Sequence, residues 1–299
     1  MPIESLLFIG CFFLGIILKK WKWLPEETPK HINQFVLWIS LPAITLIKVP
    51  AIHFNGKMLG LIGSAWLLFF GAMLFFILLG KLFHWDKKTI IALTVVCGLG
   101  NTSFVGYPYL LATLGENAIA YAIFVDQPGS FFILSTFGVG LSIWAAHGNL
   151  NIRQILSKLL SFPPFITFLL ALFLPEIENS FIRSTLGYAG KTMIPLALFS
   201  IGMQFSLKWA PQYTLKFASG LMYKLVLGPT IALLFLYLVY GKISFPQQVA
   251  LLETAMPPMI TASVICTQQN LENELTQQLV TWGIPISLIT LTFWKCLLV

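Results

Sequence analysis

Apolar residues in this chain form long runs that are separated by short polar gaps. A helix needs about 20 apolar residues to cross the hydrocarbon core of a bilayer, and ten of these runs are close to that length. We therefore predict an all-α polytopic membrane protein with ten transmembrane helices, here called spans 1 to 10. They cover residues 3–19, 31–50, 58–80, 88–113, 117–146, 154–174, 182–206, 213–240, 246–268 and 276–297.

Composition agrees with this interpretation and leaves no room for a soluble domain larger than a loop. Hydrophobic residues make up 57% of the chain and charged residues only 10%, whereas soluble domains carry about 25% charged residues. The four cysteines have neither the spacing of a zinc site nor that of a disulfide framework. We therefore expect buried thiols, no metal site and no cofactor.

Lysine and arginine residues in the short loops predict the orientation of the chain. If the N-terminus lies outside, the cytoplasmic loops contain Lys19, Lys20, Lys22, Lys30, Lys81, Lys87, Lys88, Arg153, Lys158, Lys208 and Lys216. The outer loops and ends then contain Lys48, Lys57, Arg183, Lys242 and Lys295. Cytoplasmic loops carry the excess of basic residues, so we predict a cell-membrane protein with both termini outside the cytoplasm. Basic residues that are spread in this way do not predict nucleic-acid binding.

The order of the spans predicts two repeats. The polar gap at residues 147–153 divides the chain into 1–150 and 151–299, with five spans in each part. Because five is an odd number, a second copy of the same fold would be inserted upside down, which gives a 5+5 inverted repeat. Prolines fall at similar places in both parts: Pro42 and Pro195 in spans 2 and 7, Pro108 and Pro258 in spans 4 and 9.

Two stretches inside spans 4 and 9 combine helix breakers with small polar side chains. They are residues 100–108 and 253–263. A broken helix at membrane depth is tolerated only where protein or a water-filled cavity covers it, so these stretches predict a shared site near the middle of the membrane. The alternative is a pair of structural kinks. The candidate substrate-binding residues are Asn101, Thr102, Ser103, Gly106, Pro108, Met256, Pro257, Pro258, Thr261 and Ser263.

Four ionisable residues lie within the spans and away from the span ends: Asp126, Lys191, Lys224 and Glu253. Charged groups at this depth are usually paired, functional or both. Asp126 precedes Gln127-Pro128-Gly129, which predicts a kink in span 5. We predict that Asp126, Glu253 and Lys191 act in coupling or gating, with H⁺ or Na⁺ as the coupling ion. The alternative is structural pairing of the acids with Lys191 or Lys224.

Four segments carry a resemblance to a known family. Residues 101–108 resemble the N-T-x-F-x-G-x-P signature of the auxin efflux carrier family, in particular of its short bacterial members. The other segments that are similar to family patterns are residues 33–36 with 41–43, residues 195–198 with Gly202, and residues 253–258. The long hydrophilic central loop and the Asn-Pro-Asn motif of plant members are missing here. This departure favours the bacterial type, whose substrates are small carboxylates, over a carrier of auxin itself.

The resemblance implies a ten-helix inverted repeat in which broken helices of spans 4 and 9 cross. It also implies a scaffold part and a moving transport part, in an architecture related to bile-acid symporters and sodium/proton antiporters. The implied substrate is a small carboxylate such as malate or malonate, or an auxin-like acid.

We predict a secondary transporter of a small organic anion that works by alternating access at this crossing. The alternatives are an ion- or solute-conducting channel and an intramembrane enzyme. Within the spans there is no histidine–carboxylate pair that an enzyme could use. A Gly-x-x-x-x-Gly-Lys loop is missing, so ATP bound to this chain does not drive transport. The expected partners are the substrate anion and the lipid bilayer, without nucleic acid, and a homodimer is left open.

Overall fold

The computed structural model describes residues 3–52, 56, 58–149, 152–205 and 211–298, and nearly all of these residues are in helices. Within the described ranges, the extended pairing is limited to one isolated bridge between Gly100 and Pro258. In the part of the chain that the structure describes, four helices are long and apolar enough to cross a membrane: Met58–Leu82, Asn117–His147, Pro211–Tyr240 and Asn273–Leu297. They correspond to spans 3, 5, 8 and 10. Because nearly all described residues are helical, the predicted all-α class is confirmed.

The helices of the first half follow spans 1 to 5. They are α1 (Ile3–Lys20), α2 (Thr28–Phe35), α3 (Leu41–Lys48), α4 (Met58–Leu82), α5 (Lys87–Cys97), α6 (Tyr107–Leu114), α7 (Asn117–Val125) and α8 (Val139–His147). The helices of the second half are α9 (Ile152–Leu160), α10 (Pro163–Ala171), α11 (Ser180–Lys191), α12 (Met193–Gln204), α13 (Thr214–Met222), α14 (Gly228–Tyr240), α15 (Phe245–Thr254), α16 (Ile260–Gln268) and α17 (Asn273–Leu297).

Short π-helical turns join several of these helices, and most of them occur next to prolines. Three turns end just before a proline: Val36–Ser40 before Pro42, Thr102–Gly106 before Pro108, and Tyr223–Leu227 before Pro229. A proline lacks an N–H group, and its ring clashes with the carbonyl four residues earlier, so a wider turn relieves the clash. A fourth turn, Asp126–Phe131, contains Pro128 and lies at the kink that the sequence predicts in span 5.

Span 6 was predicted as one helix over residues 154–174, and this prediction is wrong. The chain leaves the helix at residues 161–162, so α9 and α10 are separate helices. The reason is the pair Pro163-Pro164, because a residue before a proline is pushed out of the helical region. Phe162 accordingly has extended backbone angles, with φ −90° and ψ 108°.

The chain forms two compact units. Unit 1 contains Met1–Asn55, Ser103–Ile123 and Ser161–Ser206, and unit 2 contains Gly56–Thr102, Phe124–Leu160 and Leu207–Val299. Each unit therefore takes segments from both halves of the sequence. The predicted repeats 1–150 and 151–299 would be related by symmetry and need not coincide with compact units. This division therefore stays a prediction.

In unit 1, α1 and α12 approach each other closely at two glycines. A Cβ atom on Gly202 would lie 2.0 Å from the carbonyl oxygen of Phe12, and one on Gly15 would lie 2.3 Å from that of Phe199. Small residues permit such close packing of helices in membranes, where hydrophobic burial contributes little to helix association. This close packing explains why position 202 requires a glycine, which is one of the residues in the family resemblance.

In unit 2, Asp86 caps the N-terminus of α5. Its Oδ1 accepts a hydrogen bond from the Thr89 N–H at 2.8 Å. Partial burial opposes ionisation, but the hydrogen bonds from Thr89 and the charges of Lys216 and Lys88 outweigh it and lower the pKa of Asp86. Because the folded-state pKa lies below the unfolded-state pKa, the carboxylate stabilises the fold at neutral pH. This contribution is lost as the pH falls through the folded-state pKa.

We expect Asp86→Asn to lower the melting temperature of the detergent-solubilised protein at neutral pH. Asparagine is also a good N-cap, so the substitution removes the charge and keeps a capping oxygen. The difference from the parent protein should shrink as the pH falls and the parent carboxylate becomes protonated. Thermal unfolding followed across that pH range measures this effect, and a difference that does not depend on pH would contradict it.

Candidate functional site

The two stretches with helix breakers are unwound and pair with each other. In unit 2, α5 ends at Cys97 and α15 ends at Thr254. The Asn101 N–H donates to the Pro257 carbonyl at 2.9 Å, and the Met259 N–H donates to the Val96 carbonyl at 3.2 Å. Backbone groups that each break frees are thus satisfied by the other break, as the interior of a membrane requires. The predicted interruption of both helices is confirmed.

Gly100 allows the two unwound segments to come this close. A Cβ atom at this position would lie 2.9 Å from the Glu253 carbonyl oxygen, 3.3 Å from Lys224 Nζ and 3.5 Å from Met256 Cβ. The nearest of these atoms belongs to backbone, which cannot rotate away as a side chain can. On the other side of the pair, Gly283 of α17 leaves room for the Pro258 ring, because its Cβ would lie 2.5 Å from Pro258 Cδ.

A cluster of buried polar side chains surrounds the paired segments within unit 2. We call it the polar cluster, and its members are Asn101, Thr102, Asp126, Gln127, Lys224, Glu253 and Thr254, none of which is more than 2% exposed. Of the two acids in the polar cluster, Asp126 is the one whose carboxylate accepts hydrogen bonds from described side chains. One carboxylate oxygen accepts a hydrogen bond from the Thr102 hydroxyl, and the other accepts one from Gln127 Nε2 at 2.8 Å.

Lys224 brings a positive charge into the polar cluster. It lies in the π-helical turn Tyr223–Leu227 and is the one lysine that is buried among the described side chains. Its Nζ donates to the carbonyl of Thr254 at 2.8 Å, at the last residue of α15. Carbonyl groups at a helix C-terminus carry partial negative charge, so this contact stabilises the ammonium group.

Glu253 is fully buried, and its carboxylate is not bonded by any described residue. Both of its carboxylate oxygens lack a hydrogen-bond partner there, as do Asn101 Nδ2 and Gln127 Oε1. Buried polar atoms almost always have a partner, and an unmet buried group is a position where an ion, water or ligand is expected. Three residues of the polar cluster therefore have unused bonding capacity. Among the described residues, no three His, Cys, Asp or Glu side chains form a metal site.

The start of α16 adds main-chain donors beside the break. Met259 is extended, and no side chain caps this helix. The first N–H groups of a helix have no partner within the helix and carry partial positive charge, which favours anions. Of the two hydroxyl residues that the sequence predicts here, Ser263 is buried and Thr261 is exposed.

The structure brings together some of the predicted site residues but not all of them. Asn101, Thr102, Asp126 and Glu253 are in the polar cluster, and Met256, Pro257 and Pro258 form the second break. By contrast, Ser103, Gly106 and Pro108 belong to the part of the chain assigned to unit 1. Lys191 also belongs to unit 1, where it is exposed at the end of α11.

Two members of the polar cluster were missed as candidates, and one was underrated. Gln127 was interpreted only as part of a kink, although an amide next to an intramembrane acid is a signal for a hydrogen-bond partner. Thr254 contributes a backbone carbonyl, which no side-chain pattern could have indicated. Lys224 was considered mainly as a neutralising partner for an acid, yet the atom that it contacts is this carbonyl.

Comparison with known proteins extends these observations over the whole chain. A family model described as membrane transport protein matches residues 2–295. An uncharacterised transporter of Methanocaldococcus jannaschii is 26% identical over 314 residues, which cover 100% of this chain and 99% of the relative. One of Methanothermobacter thermautotrophicus is 25% identical over 306 residues, 95% of this chain and 94% of the relative. A proposed malonate transporter of Rhizobium meliloti is 25% identical over 305 residues, 95% of this chain and 92% of the relative.

These matches cover nearly the full length of both chains in each pair. They therefore confirm the resemblance that the segment 101–108 and three other segments carry.

Proposed function

Because the chain belongs to the membrane transport protein family, we propose that it is a secondary transporter that carries a small organic anion by alternating access. The protein is a multi-pass membrane transporter and not an enzyme, since its family and its relatives are transporters. The substrate and the mechanism are our proposal. One observation carries it, which is that two broken helices, one from each half of the chain, pair beside the polar cluster.

The chemistry of the polar cluster favours an anionic substrate. Lys224 supplies a buried positive charge, Asn101 Nδ2 is a donor without a described partner, and the start of α16 presents main-chain donors. Together they could meet the oxygens of a carboxylate with hydrogen bonds and opposite charge. The full-length relative from Rhizobium meliloti, described as a proposed malonate transporter, makes malonate and similar small dicarboxylates the first substrates to test.

We further propose ten spans in a 5+5 inverted repeat. Breaks that come from corresponding spans of two repeats are typical of transporters whose site lies near the midplane. We assign the moving transport part to unit 2, because unit 2 contains both paired segments and the polar cluster. Unit 1 would then be the scaffold.

We propose that Glu253 couples transport to an ion gradient by holding a proton or a sodium ion. A charged carboxylate in a dry interior is strongly destabilising unless it is compensated. The Asp126 carboxylate accepts hydrogen bonds from Thr102 and Gln127, whereas the Glu253 carboxylate accepts none from the described residues. Backbone carbonyls of the unwound segment are further ligands that a sodium ion could use.

Uptake into proteoliposomes tests the function directly. Purified protein is reconstituted, and radiolabelled malonate, malate and an auxin-like acid are offered with a proton gradient, a sodium gradient or no gradient. We expect saturable uptake of at least one small carboxylate and accumulation under one of the two gradients. Uptake that does not saturate would favour a channel. Conduction of inorganic ions by the reconstituted protein would favour a channel as well.

The orientation of the chain can be tested separately. Lysine and arginine counts predict that both termini lie outside the cytoplasm and that residues 149–154 lie inside it. Green fluorescent protein fused at the C-terminus should therefore be dark, and alkaline phosphatase at the same place should be active. The same two reporters inserted in the 149–154 loop should give the opposite pattern. A fluorescent C-terminal fusion would overturn the topology.

A further inference from the structure

The short helix α9 has two distinct faces. Its sequence is Ile-Arg-Gln-Ile-Leu-Ser-Lys-Leu-Leu, from Ile152 to Leu160. With about 100° of rotation per residue, the five apolar positions fall within an arc of roughly 140°, and the four polar positions occupy the opposite side. The apolar positions are 152, 155, 156, 159 and 160. Such a pattern is typical of a helix that lies at the surface of a membrane.

The described side chains of the apolar face are not covered by the protein. Ile152, Leu156 and Leu160 are 68%, 50% and 65% exposed, although α9 packs against α8 and the turn Leu134–Gly138 of the same unit. Large exposed apolar side chains in a row on one helix mark a surface that contacts another apolar phase. Arg153 and Ser157, on the polar side, are exposed as well.

Length and local structure exclude α9 as part of a transmembrane helix. Its nine residues extend over about 14 Å at 1.5 Å per residue, less than half of the hydrocarbon core. The chain turns at residues 161–162 before α10 starts at Pro163. If α9 were oriented across the membrane, Arg153 would also lie in hydrocarbon, which is unfavourable.

Charge indicates which kind of membrane surface α9 would contact. No acidic residue occurs from Gln127 to Pro175, and this segment includes Arg153 and Lys158. Basic residues near an anionic leaflet are attracted to it. The loop that contains α9 is one of the loops that the basic-residue pattern assigns to the cytoplasm, where anionic lipids are concentrated.

We propose that α9 lies in the membrane interface, with its apolar face at the acyl-chain boundary and its polar face, on which positions 153 and 158 are basic, toward anionic phospholipid headgroups. The helix ends the segment Phe124–Leu160 of unit 2, and the next residue, Ser161, begins the segment Ser161–Ser206 of unit 1. The chain connection between these two segments would therefore be anchored to the bilayer surface rather than free in water.

Depth measurements with labelled cysteines test the position of α9. In the full-length chain, Cys11 and Cys296 are replaced by serine, and the buried Cys97 and Cys266 are kept. A fluorescent label is attached to Leu156→Cys, or to Ser157→Cys as the matched control one residue away on the polar face. In vesicles with phosphatidylglycerol, we expect brominated lipid to quench the label at position 156 at least about threefold more than the label at 157, and iodide to do the reverse.

Each other outcome contradicts part of the proposal. Equal quenching of both labels by iodide would mean that α9 lies in water, and protection of the 156 label from both quenchers would mean that protein covers it.

The charge is tested with Arg153→Gln and Lys158→Gln together. If headgroups bind these residues, the double substitution should reduce lipid quenching at 156 in phosphatidylglycerol vesicles and have little effect in phosphatidylcholine vesicles. The same loss in both lipids would overturn anionic headgroup binding.

Discussion

Gly100→Ala is expected to reduce the initial rate of substrate uptake at least about fivefold, since overpacking costs about 1–3 kcal/mol and 1.4 kcal/mol corresponds to a factor of ten. The added Cβ would lie 2.9 Å from the Glu253 carbonyl oxygen, so the two unwound segments would have to separate. Separation would weaken the hydrogen bonds of Asn101 with Pro257 and of Met259 with Val96. Uptake per mole of monodisperse protein in proteoliposomes measures the effect.

Gly187→Ala is the matched control for this prediction. It is also a glycine-to-alanine change, here within the helix α11, but a Cβ atom on Gly187 would meet nothing within 4 Å. Alanine is the better helix former, so this variant should be as stable as the parent or more stable, with normal uptake. If Gly100→Ala transports like Gly187→Ala, close approach of the two segments is not needed for function.

Neutral variants of the two acids should separate substrate movement from ion coupling. Glu253→Gln is expected to abolish accumulation against a gradient and to retain exchange of labelled for unlabelled substrate, because the carbon skeleton of the side chain is kept and its charge change is lost. Asp126→Asn should perturb both activities, because it alters the bonds with Thr102 and Gln127 that hold this part of the polar cluster. Uptake and exchange are measured in the same proteoliposomes under proton and sodium gradients.

Glu178→Gln makes the same chemical change at an exposed position between α10 and α11 and should behave like the parent. Accumulation by Glu253→Gln at the parental level would show that Glu253 is not the coupling group. If exchange is lost as well, Glu253 acts in substrate binding or in folding, and a size-exclusion profile distinguishes these two cases.

The sequence was sufficient to predict that the helices of spans 4 and 9 break, but not that span 6 does. Glycine and proline affect the backbone at their own positions, so the stretches 100–108 and 253–263 could be identified as sites of a break without knowledge of their neighbours. The kink at Asp126 follows from Pro128 in the same way. That the two breaks share one site was expected from their place inside the membrane and from the two repeats. That the two helices cross was expected only from the family resemblance.

Properties that depend on which side of a helix faces the protein could not be predicted. Lys191 and Lys224 both lie in apolar runs, yet Lys191 is exposed, whereas Lys224 is fully buried and its Nζ donates to the Thr254 carbonyl. Thr261 and Ser263 differ in the same manner, although they are two residues apart. In a chain with apolar residues on all sides of its helices, the hydrophobic pattern does not distinguish the lipid-facing side from the protein-facing side.

The paired breaks also determine the order in which the protein can mature during synthesis. Partners for Val96 and Asn101 come from Met259 and Pro257, which the ribosome adds only when most of the chain is already made. Until then the first break has backbone groups in the bilayer that lack these native bonds, an arrangement that is strongly unfavourable. The nascent first half is therefore a transient target for membrane chaperones and proteases, and the insertion of α15 and α16 is the step that ends this vulnerable period.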